Sequence, residues 1–309
     1  MTIAYLGPEG TFTQSALHQI DPDGAHHLPV ISVSAALGAV RDGEADSAVV
    51  PIENSVEGGV SATLDAMAVG SELRIIAEML VPIRFVLVAL RPMGLSEIRA
   101  ISTHSHAWAQ VRAWAQHSIP EAEYIPASST AAGALGLLSV GEQAGYDAAI
   151  CSSAVVAAHP ELAVLAEDIG DNRAAVTRFV HVARPEHGLP RRTGADRTTV
   201  VIPLWEDRAG ALMEILEQFA TRGVNLSRIE SRPTGNSLGE YFFSVDIDGH
   251  VQDERVAEAL VGLRRICPTT RFLGSYAKAG PAVADVAGQH TDGAFLQARD
   301  WVDRLRAGH

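Results

Sequence analysis

The chain has 309 residues, 47% of them hydrophobic, so it can bury a substantial core and is expected to divide into two or three compact units. Its formal net charge of −13 argues against a surface for nucleic acid or for anionic lipid, because both need basic residues. An anionic substrate would therefore have to be bound by local cations and backbone N–H groups.

Neither secretion nor a membrane span is expected. Residues 1–5 place no basic group ahead of an apolar stretch, and the longest apolar passage, 79–90, is too short to cross a bilayer. We expect a cytoplasmic protein. Cys151 and Cys267 lie far apart without a paired spacing, which predicts two buried apolar residues and neither a disulfide nor a zinc site.

Short apolar runs alternate with Ala-rich stretches up to about Arg184. The runs predict strands at 3–6, 47–51, 85–90, 100–103, 148–151 and 179–183. The stretches predict helices at 35–41, 107–117 and 130–140. This alternation is typical of an α/β layer with a mostly parallel sheet.

The composition changes at 185–197, where Pro, Gly, Arg and Thr predict a linker. Beyond it, the predicted order is strand 198–204, helix 210–222, strand 225–232, strand 241–247, helix 253–267 and strand 271–276. This βαββαβ order predicts a ferredoxin-like unit, with two helices on one face of a four-stranded antiparallel sheet. Such a small sheet leaves an edge and a face for pairing with a copy of itself. In the tail, 295–305 predicts one amphipathic helix whose Phe295, Trp301 and Leu305 pack on a neighbour.

Hydroxyl and amide side chains gather where predicted strands give way to helices. The clusters are Gly10-Thr11-Phe12-Thr13, Asn54-Ser55, Ser102-Thr103-His104-Ser105 and Ser128-Ser129-Thr130. The carboxyl ends of strands in open α/β sheets face a ligand crevice, and helix N-termini there present N–H groups that suit carboxylates. Each cluster alone is as typical of a helix N-cap, but together they indicate a carboxylate-binding site.

Thr177-Arg178-Phe179 is the most informative short stretch. It places a hydroxyl donor beside a fixed cation at a strand edge, which suits binding a carboxylate and assisting a departing hydroxyl group. No third ligand accompanies His104 and His106, so no metal site is expected. The chain also lacks a GxGxxG fingerprint and a P-loop, so no cofactor is expected.

Three further motifs accompany this triplet: Gly7-Pro8-Glu9-Gly10-Thr11-Phe12, Pro51-Ile52-Glu53-Asn54-Ser55 and Glu230-Ser231-Arg232-Pro233. In this order the motifs resemble the prephenate dehydratase family from about residue 3 to about residue 277. The resemblance implies two α/β lobes that clasp the substrate as periplasmic binding proteins do. It implies a catalytic domain at 1–184, with lobe 1 at about 1–76 and 166–184 and lobe 2 at about 77–165. The linker at 185–197, an ACT regulatory domain at 198–277 and a tail at 278–309 would follow.

The resemblance also implies residue roles for the conversion of prephenate to phenylpyruvate. Thr177 would supply the catalytic hydroxyl, and Arg178 would be a cation that binds a substrate carboxylate or organises the site. Phe179 would pack behind both residues. The positions that match the family's cleft are Thr11, Asn54, Ser55, Thr103, Ser129 and Thr130. Glu53 or His104 could supply a stronger acid, and Glu53 has the alternative role of holding a loop.

Two positions depart from the family's pattern. Ala175 stands where the family often has Asn, and Thr103-His104-Ser105-His106 stands where it often has Ser-His-Pro-Gln. These departures leave the polar contacts of the second lobe open and do not touch the central triplet.

The C-terminal unit resembles an ACT domain. Gly210-Ala211-Leu212-Met213 matches that domain's first effector motif with Met for Val, and Glu230-Ser231-Arg232-Pro233 matches the second. The resemblance implies L-phenylalanine as an allosteric effector, bound at a subunit interface of a homodimer or homotetramer. Two alternatives stay open at this point: arogenate dehydratase, and a non-catalytic amino-acid sensor.

Overall fold

The computed structural model of the protein describes residues 1–21, 26–204, 208–235, 237, 239–280 and 286–308. Its strands are β1 (Thr2–Leu6), β2 (His26–Val30), β3 (Ser47–Asn54), β4 (Gly58–Gly59), β5 (Arg74–Pro82), β6 (Phe85–Ala89), β7 (Ala100–Thr103), β8 (Glu123–Pro126), β9 (Ala148–Ser152), β10 (Ala163–Ala166), β11 (Val176–Ala183), β12 (Asp196–Pro203), β13 (Leu226–Pro233), β14 (Tyr241–Asp248) and β15 (Arg271–Ala277). Its α-helices are α1 (Phe12–Leu17), α2 (Val33–Arg41), α3 (Ser61–Ala68), α4 (Ser105–Ala109), α5 (Arg112–Ser118), α6 (Thr130–Val140), α7 (Ser153–Ala158), α8 (Ala211–Ala220), α9 (Glu254–Ile266) and α10 (Asp292–Arg306).

Contacts between residues divide the chain into two units. Unit 1 comprises Met1–Val60 and Met79–Phe179, and unit 2 comprises Ser61–Glu78 and Val180–His309. None of the helices in the described ranges is both long and apolar enough to cross a membrane.

The first sheet has the strand order β2-β1-β3-β11-β5, and β4 pairs with β3. Strand β1 is parallel to both of its neighbours, β2 and β3. Its residues Ile3, Ala4 and Tyr5 are buried, as expected of a parallel strand that is covered on both faces. Because parallel strands end at the same edge, the residues that follow β1 and β3 lie at one edge of this sheet.

The second sheet has the order β10-β6-β9-β7-β8. Strand β7 is parallel to β8 and β9, whereas β6 is antiparallel to β9 and β10, so the sheet is mixed. Helix α6 packs very close to it, since a Cβ on Gly133 would lie only 2.9 Å from the Ser102 carbonyl oxygen. The absence of a side chain at this position lets the helix approach the strand so closely.

The ACT-like part of unit 2 has the predicted βαββαβ order. Strands β12, β13, β14 and β15 form an antiparallel sheet in the order β13-β14-β12-β15. Helices α8 and α9 supply Phe219 and Leu263 to an apolar core that they share with Val200 and Val245. Full burial of each such side chain contributes about 1.5–3 kcal/mol relative to exposure, so this core holds both helices against the sheet.

The segment Ser61–Glu78 belongs by its contacts to unit 2. The Asp65 carboxylate binds the Arg232 guanidinium through two hydrogen bonds of 3.0 and 2.8 Å. Glu78 pairs with Arg197 at the other end of the segment. Helix α3 and the first part of β5 are thereby attached to the strands of the ACT-like sheet.

Several elements were not predicted from sequence. They are the strands β2, β4, β5, β8 and β10 and the helices α1, α3 and α7. The helix predicted at 107–117 is interrupted, because α4 ends at Ala109 and α5 begins at Arg112. The Asp171 carboxylate accepts hydrogen bonds of 2.9 Å from the Ala113 and Trp114 N–H groups at the start of α5. A carboxylate so distant in sequence gives no local signal for this break.

Two smaller expectations concern the cysteines and the tail helix. Cys151 and Cys267 are buried and unbridged, as predicted. The predicted tail helix forms; Phe295 is partly buried in it, whereas Trp301 and Leu305 are 58% and 53% exposed, so their packing on a neighbour stays a prediction.

Candidate active site and effector pocket

Thr177 and Arg178 lie at the start of β11, a strand with β3 on one side and β5 on the other. Their side chains are buried, with 6% and 5% of each residue exposed, and Phe179 is 2% exposed. A buried guanidinium is costly unless it is paired and hydrogen-bonded, so this position demands a specific partner.

Asn54 is a direct partner of Thr177. Its Nδ2 donates to the Thr177 hydroxyl oxygen at 2.9 Å. Its Oδ1 accepts from the Val56 and Glu57 N–H groups at 2.7 and 3.3 Å, closing a turn directly after β3. The amide therefore joins the end of β3 to the start of β11.

Ser55 adds two hydrogen bonds at the same place. Its N–H donates to the Val176 carbonyl oxygen at 2.9 Å, and its hydroxyl oxygen accepts from the Val176 N–H at 3.0 Å. The two motifs, 121 residues apart in sequence, are thus fixed against each other.

Glu53 is the ion-pair partner of Arg178, with 3.1 Å between Glu53 Oε2 and Arg178 Nε. The Arg178 side chain is 6% exposed and that of Glu53 is 37% exposed. Because its carboxylate lies against the buried guanidinium, Glu53 is placed to hold Arg178 in position.

Thr11 follows β1 and forms the N-cap of α1. Its hydroxyl donates to the Leu6 carbonyl oxygen at 3.0 Å and accepts from the Gln14 N–H at 3.4 Å. The neighbouring Gly10 carbonyl oxygen accepts a 2.6 Å hydrogen bond from Ser152, which follows the apolar core of β9. Sequence reasoning missed Ser152, although two serines directly after an apolar strand gave the same signal as the other clusters.

Thr103, Ser129 and Thr130 lie at the second sheet. Thr103 has no exposed surface, and its hydroxyl donates to the Ile150 carbonyl oxygen at 2.8 Å, joining β7 to β9. Ser129 is the N-cap of α6, accepting from the Ala132 N–H at 3.0 Å, and Thr130 is the first residue of that helix. Within the described ranges, no hydrogen bond connects these three residues to Thr177.

His104 and His106 stand at the start of α4. Burial lowers the pKa of His104, and the neighbouring His106 lowers it further, while Glu57 opposes the shift. His104 is therefore mainly neutral near pH 7 and is a poor proton donor. His106 Nδ1 lies 3.3 Å from Glu57 Oε2, so the turn that Asn54 closes also contacts α4.

A cavity of about 340 Å³ opens beside α8 in unit 2. Its lining includes four predicted effector residues of the first motif and Ser231 of the second, together with Leu204, Arg208, Tyr241 and Phe243, which sequence reasoning did not select. Gly210 caps the helix with φ +87°, a conformation that favours glycine.

Arg232 and Glu230 do not line this cavity. Arg232 binds Asp65, and Glu230 Oε2 lies 3.6 Å from an Arg228 nitrogen. Side chains alternate between the two faces of a strand, so Ser231 faces the cavity while its neighbours point to the other face. Pro233 ends β13 and is exposed.

Two family models match separate parts of the chain. A family model described as prephenate dehydratase matches residues 3–187, and one described as the ACT domain matches residues 199–265. A prephenate dehydratase of Amycolatopsis methanolica is 44% identical over 307 residues, covering 99% of this chain and 98% of that protein. The chain belongs to the prephenate dehydratase family. A prephenate dehydratase of Mycobacterium tuberculosis H37Rv is 43% identical over 315 residues, covering 99% of this chain and 94% of that protein.

Solved structures confirm the predicted fold, two α/β lobes followed by an ACT domain. The prephenate dehydratase of Arthrobacter aurescens, crystallised with L-Phe, has a TM-score of 0.93 and 61% identity, covering 99% of this chain and 100% of that one. GqqA, described as a quorum-quenching acylase, has a TM-score of 0.74 and 28% identity, covering 91% of this chain and 99% of that one. Since one fold carries both names, activity has to be argued from the site and not from the fold alone.

Proposed function

We propose that the chain converts prephenate to phenylpyruvate, with Thr177 and Arg178 as its central residues. The observation that carries this proposal is the buried pair of a hydroxyl and a guanidinium, held by Asn54 and Glu53, in a chain of the prephenate dehydratase family.

The reaction is redox-neutral and driven by aromatisation. The bond from the ring to its carboxylate breaks and releases carbon dioxide, and the electron pair of that bond enters the ring. The C4–oxygen bond breaks at the same time, and its electron pair leaves with the hydroxyl oxygen, which takes up a proton to become water. The protein has to orient a dianion and stabilise the departing oxygen.

Thr177 is placed for the second task. A threonine hydroxyl is too weakly acidic to transfer its proton fully, so it acts by donating a hydrogen bond that strengthens as negative charge develops on the leaving oxygen. One such donor contributes roughly 3 to 4 kcal/mol to transition-state stabilisation.

Arg178 and the backbone serve the first task. The guanidinium supplies a positive charge at a fixed place beside Thr177, next to the Glu53 carboxylate. The helix that begins after Ser129 presents N–H groups of its first turn, which suit a carboxylate. We propose that Thr11, Ser55, Ser129 and Thr130 line the substrate site around this pair. Thr103 is not proposed to line it, because its hydroxyl is fully buried and donates to the Ile150 carbonyl oxygen.

A direct assay tests the proposal. The purified chain should form phenylpyruvate from prephenate, measured by the absorbance of the product, and should form phenylalanine from arogenate more slowly. Turnover of arogenate alone would assign the chain to arogenate dehydratase, and turnover of neither compound would leave it a non-catalytic sensor.

We also propose that L-phenylalanine binds this chain in the cavity beside α8, in a homodimer or homotetramer located in the cytoplasm. The cavity volume falls within the range of small-molecule sites, and the first turn of α8 can meet the amino-acid carboxylate with its N–H groups. Phe243 and Leu212 supply apolar surface for the phenyl ring.

Calorimetry with Gly210→Val tests this effector site. Gly210 has φ +87° and open space around it, so the substitution strains the start of α8 without an internal clash, and it should weaken phenylalanine binding about tenfold or more. Gly188→Val is the matched control, because Gly188 has φ +84° and equally open surroundings in the linker region. Unchanged binding by Gly210→Val would place the effector elsewhere.

A further inference from the structure

We infer that Asn54 is a positioning residue that sets the direction in which the Thr177 hydroxyl donates, and that it acts on the reaction through that hydroxyl. This inference rests on the proposed function and goes beyond it, because the resemblance implied only that Asn54 lines the substrate cleft.

The orientation of the Asn54 amide is fixed by its surroundings. Two backbone N–H groups, those of Val56 and Glu57, point at one amide atom from 2.7 and 3.3 Å. Only the carbonyl oxygen can accept from both, so that atom is Oδ1 and the atom facing Thr177 has to be Nδ2. The N–H groups of the turn thus act as a fixed reference for the amide.

The direction of the next hydrogen bond follows from this orientation. An amide nitrogen only donates, so the Thr177 oxygen accepts from Asn54 at 2.9 Å and cannot direct its own hydrogen there. Among the described residues, the bond from Asn54 is the only hydrogen bond that this hydroxyl makes. The hydroxyl hydrogen is consequently available to a bound substrate.

This arrangement prepares the hydroxyl for its proposed role. A hydroxyl that accepts a hydrogen bond becomes a stronger donor through its own hydrogen, because the bonds in such a chain polarise one another. Donation to the departing oxygen of the substrate needs no reorientation when the C–O bond breaks. The proton stays on Thr177 throughout, and the departing oxygen leaves as hydroxide, which is neutralised by buffer in the solvent.

Asn54→Asp reverses the direction of this bond while preserving the turn. The introduced carboxylate still accepts from the two backbone N–H groups, but it can only accept from Thr177 and so draws the hydroxyl hydrogen away from the substrate. The kcat for prephenate should fall about 10- to 10²-fold. This fall in kcat is expected only in a protein that retains the Thr177 hydroxyl.

A double-mutant cycle with Thr177→Val therefore decides between two roles for Asn54. If Asn54 acts through the hydroxyl, Asn54→Asp should change kcat by less than about twofold in the Thr177→Val background. If Asn54 binds the substrate independently, the two losses will multiply, and that result overturns the inference. Absence of prephenate turnover in the wild-type chain would instead contradict the proposed function itself.

Asn54→Ser supplies a second, uncharged variant in case Asn54→Asp does not fold. Serine can cap the turn but cannot offer the amide donor. We expect kcat to fall about tenfold or more while KM changes by less than about threefold, because a misdirected hydroxyl affects the transition state more than the bound substrate. A rise in KM at unchanged kcat would show a substrate ligand and contradict the inference.

Discussion

At the scale of single residues, the site depends on a buried cation whose position is set by a neighbouring carboxylate. Arg178 and Glu53 are separated by 3.1 Å between Nε and Oε2. Guanidinium groups hold carboxylates in a planar, directional manner that an ammonium group does not reproduce. The ion pair thus holds the guanidinium charge beside the Glu53 carboxylate.

We therefore expect Arg178→Lys to lower kcat/KM for prephenate about 10²-fold, with steady-state kinetics as the measurement. Arg84→Lys is the matched control, since Arg84 lies 3.5 Å from Asp168 in an ion pair that is about 40% exposed on both sides, and it should change kcat/KM by less than about twofold. Normal kinetics with a lowered melting temperature for Arg178→Lys would assign Arg178 a structural role only.

His104 gives a prediction about pH. Its pKa is lowered, first by burial, so the unfolded chain takes up this proton more readily than the folded chain. Stability should then be lost as pH falls below about 6.5, the ordinary histidine pKa, and be fully present above it.

His104→Gln should remove part of that loss, measured as a melting temperature that varies less between about pH 7 and pH 5. The variant should keep kcat within about twofold at pH 7.5, because a mainly neutral imidazole is not the proton donor. A large fall in kcat would restore His104 as a general acid.

Residue type allowed candidate site residues to be selected from the sequence, but it did not show which side chains contact one another. The triplet at 177–179 and the pair Asn54-Ser55 could be selected because their side-chain chemistry is readable from residue type. That Asn54 donates to Thr177 depends on β3 and β11 being neighbours in one sheet, which is a tertiary fact. Ser152 was missed although Ser152-Ser153 directly follow an apolar run, whereas Arg208 lies outside the motifs that stand out along the chain.

At the scale of elements, helix α3 is joined by hydrogen bonds to the second effector motif, Glu230-Ser231-Arg232-Pro233. The Asp65 carboxylate on α3 holds Arg232, and α3 begins shortly after the turn that Asn54 closes. We propose that a shift of β13 on phenylalanine binding is passed to α3 through this ion pair.

Asp65→Asn tests this connection. We expect normal turnover in the absence of effector and a reduced response of KM or kcat to phenylalanine, because the charged pair between α3 and β13 is lost. Glu72→Gln is the matched control, since Glu72 pairs with Arg74 at 2.8 Å in the same segment without contacting an effector motif. An unchanged phenylalanine response in Asp65→Asn would show that the pair of Asp65 and Arg232 does not couple phenylalanine binding to turnover.

Element prediction succeeded where local pattern and tertiary environment agree. Helix α6 matches its predicted bounds because an Ala-rich stretch follows a strong N-cap serine. Strand β2 was missed because His26, His27 and Pro29 interrupt the apolar pattern, and it forms through its pairing with β1. The linker predicted at 185–197 overlaps β12, whose first residue, Asp196, is buried and accepts from the Thr193 N–H at 2.9 Å.

At the scale of the whole molecule, the division of the chain into two units determines which contacts are lost when the ACT domain is removed. Ser61–Glu78 contacts the ACT-like strands, so truncation after Arg192 deletes its partners as well as the effector cavity. We expect the truncated protein to lose its response to phenylalanine and to melt several degrees lower, measured by calorimetry.

Truncation after Gly280 is the control for that experiment. It removes α10 and the residues around it, whose contacts include ion pairs from Arg299 to Glu254 and Glu258 and the hydrogen bond of 2.9 Å from the Glu254 N–H to Asp292. Partly exposed contacts of this kind contribute about 0–1 kcal/mol each, so the melting temperature should fall less than after truncation at Arg192 and the phenylalanine response should be kept. Equal destabilisation by both truncations would contradict the role given to Ser61–Glu78.

The central claim is that this chain turns over prephenate through the Thr177 hydroxyl, and kcat for Thr177→Val against the wild-type chain tests it most directly. Thr103→Val is the matched control, because it also removes a buried threonine hydroxyl, one that donates to the Ile150 carbonyl oxygen at 2.8 Å. We predict a fall in kcat of about 10²-fold or more for Thr177→Val, and for Thr103→Val a lower melting temperature with kcat within about threefold. A Thr177→Val enzyme that retains kcat within about threefold of the wild-type value would contradict the account.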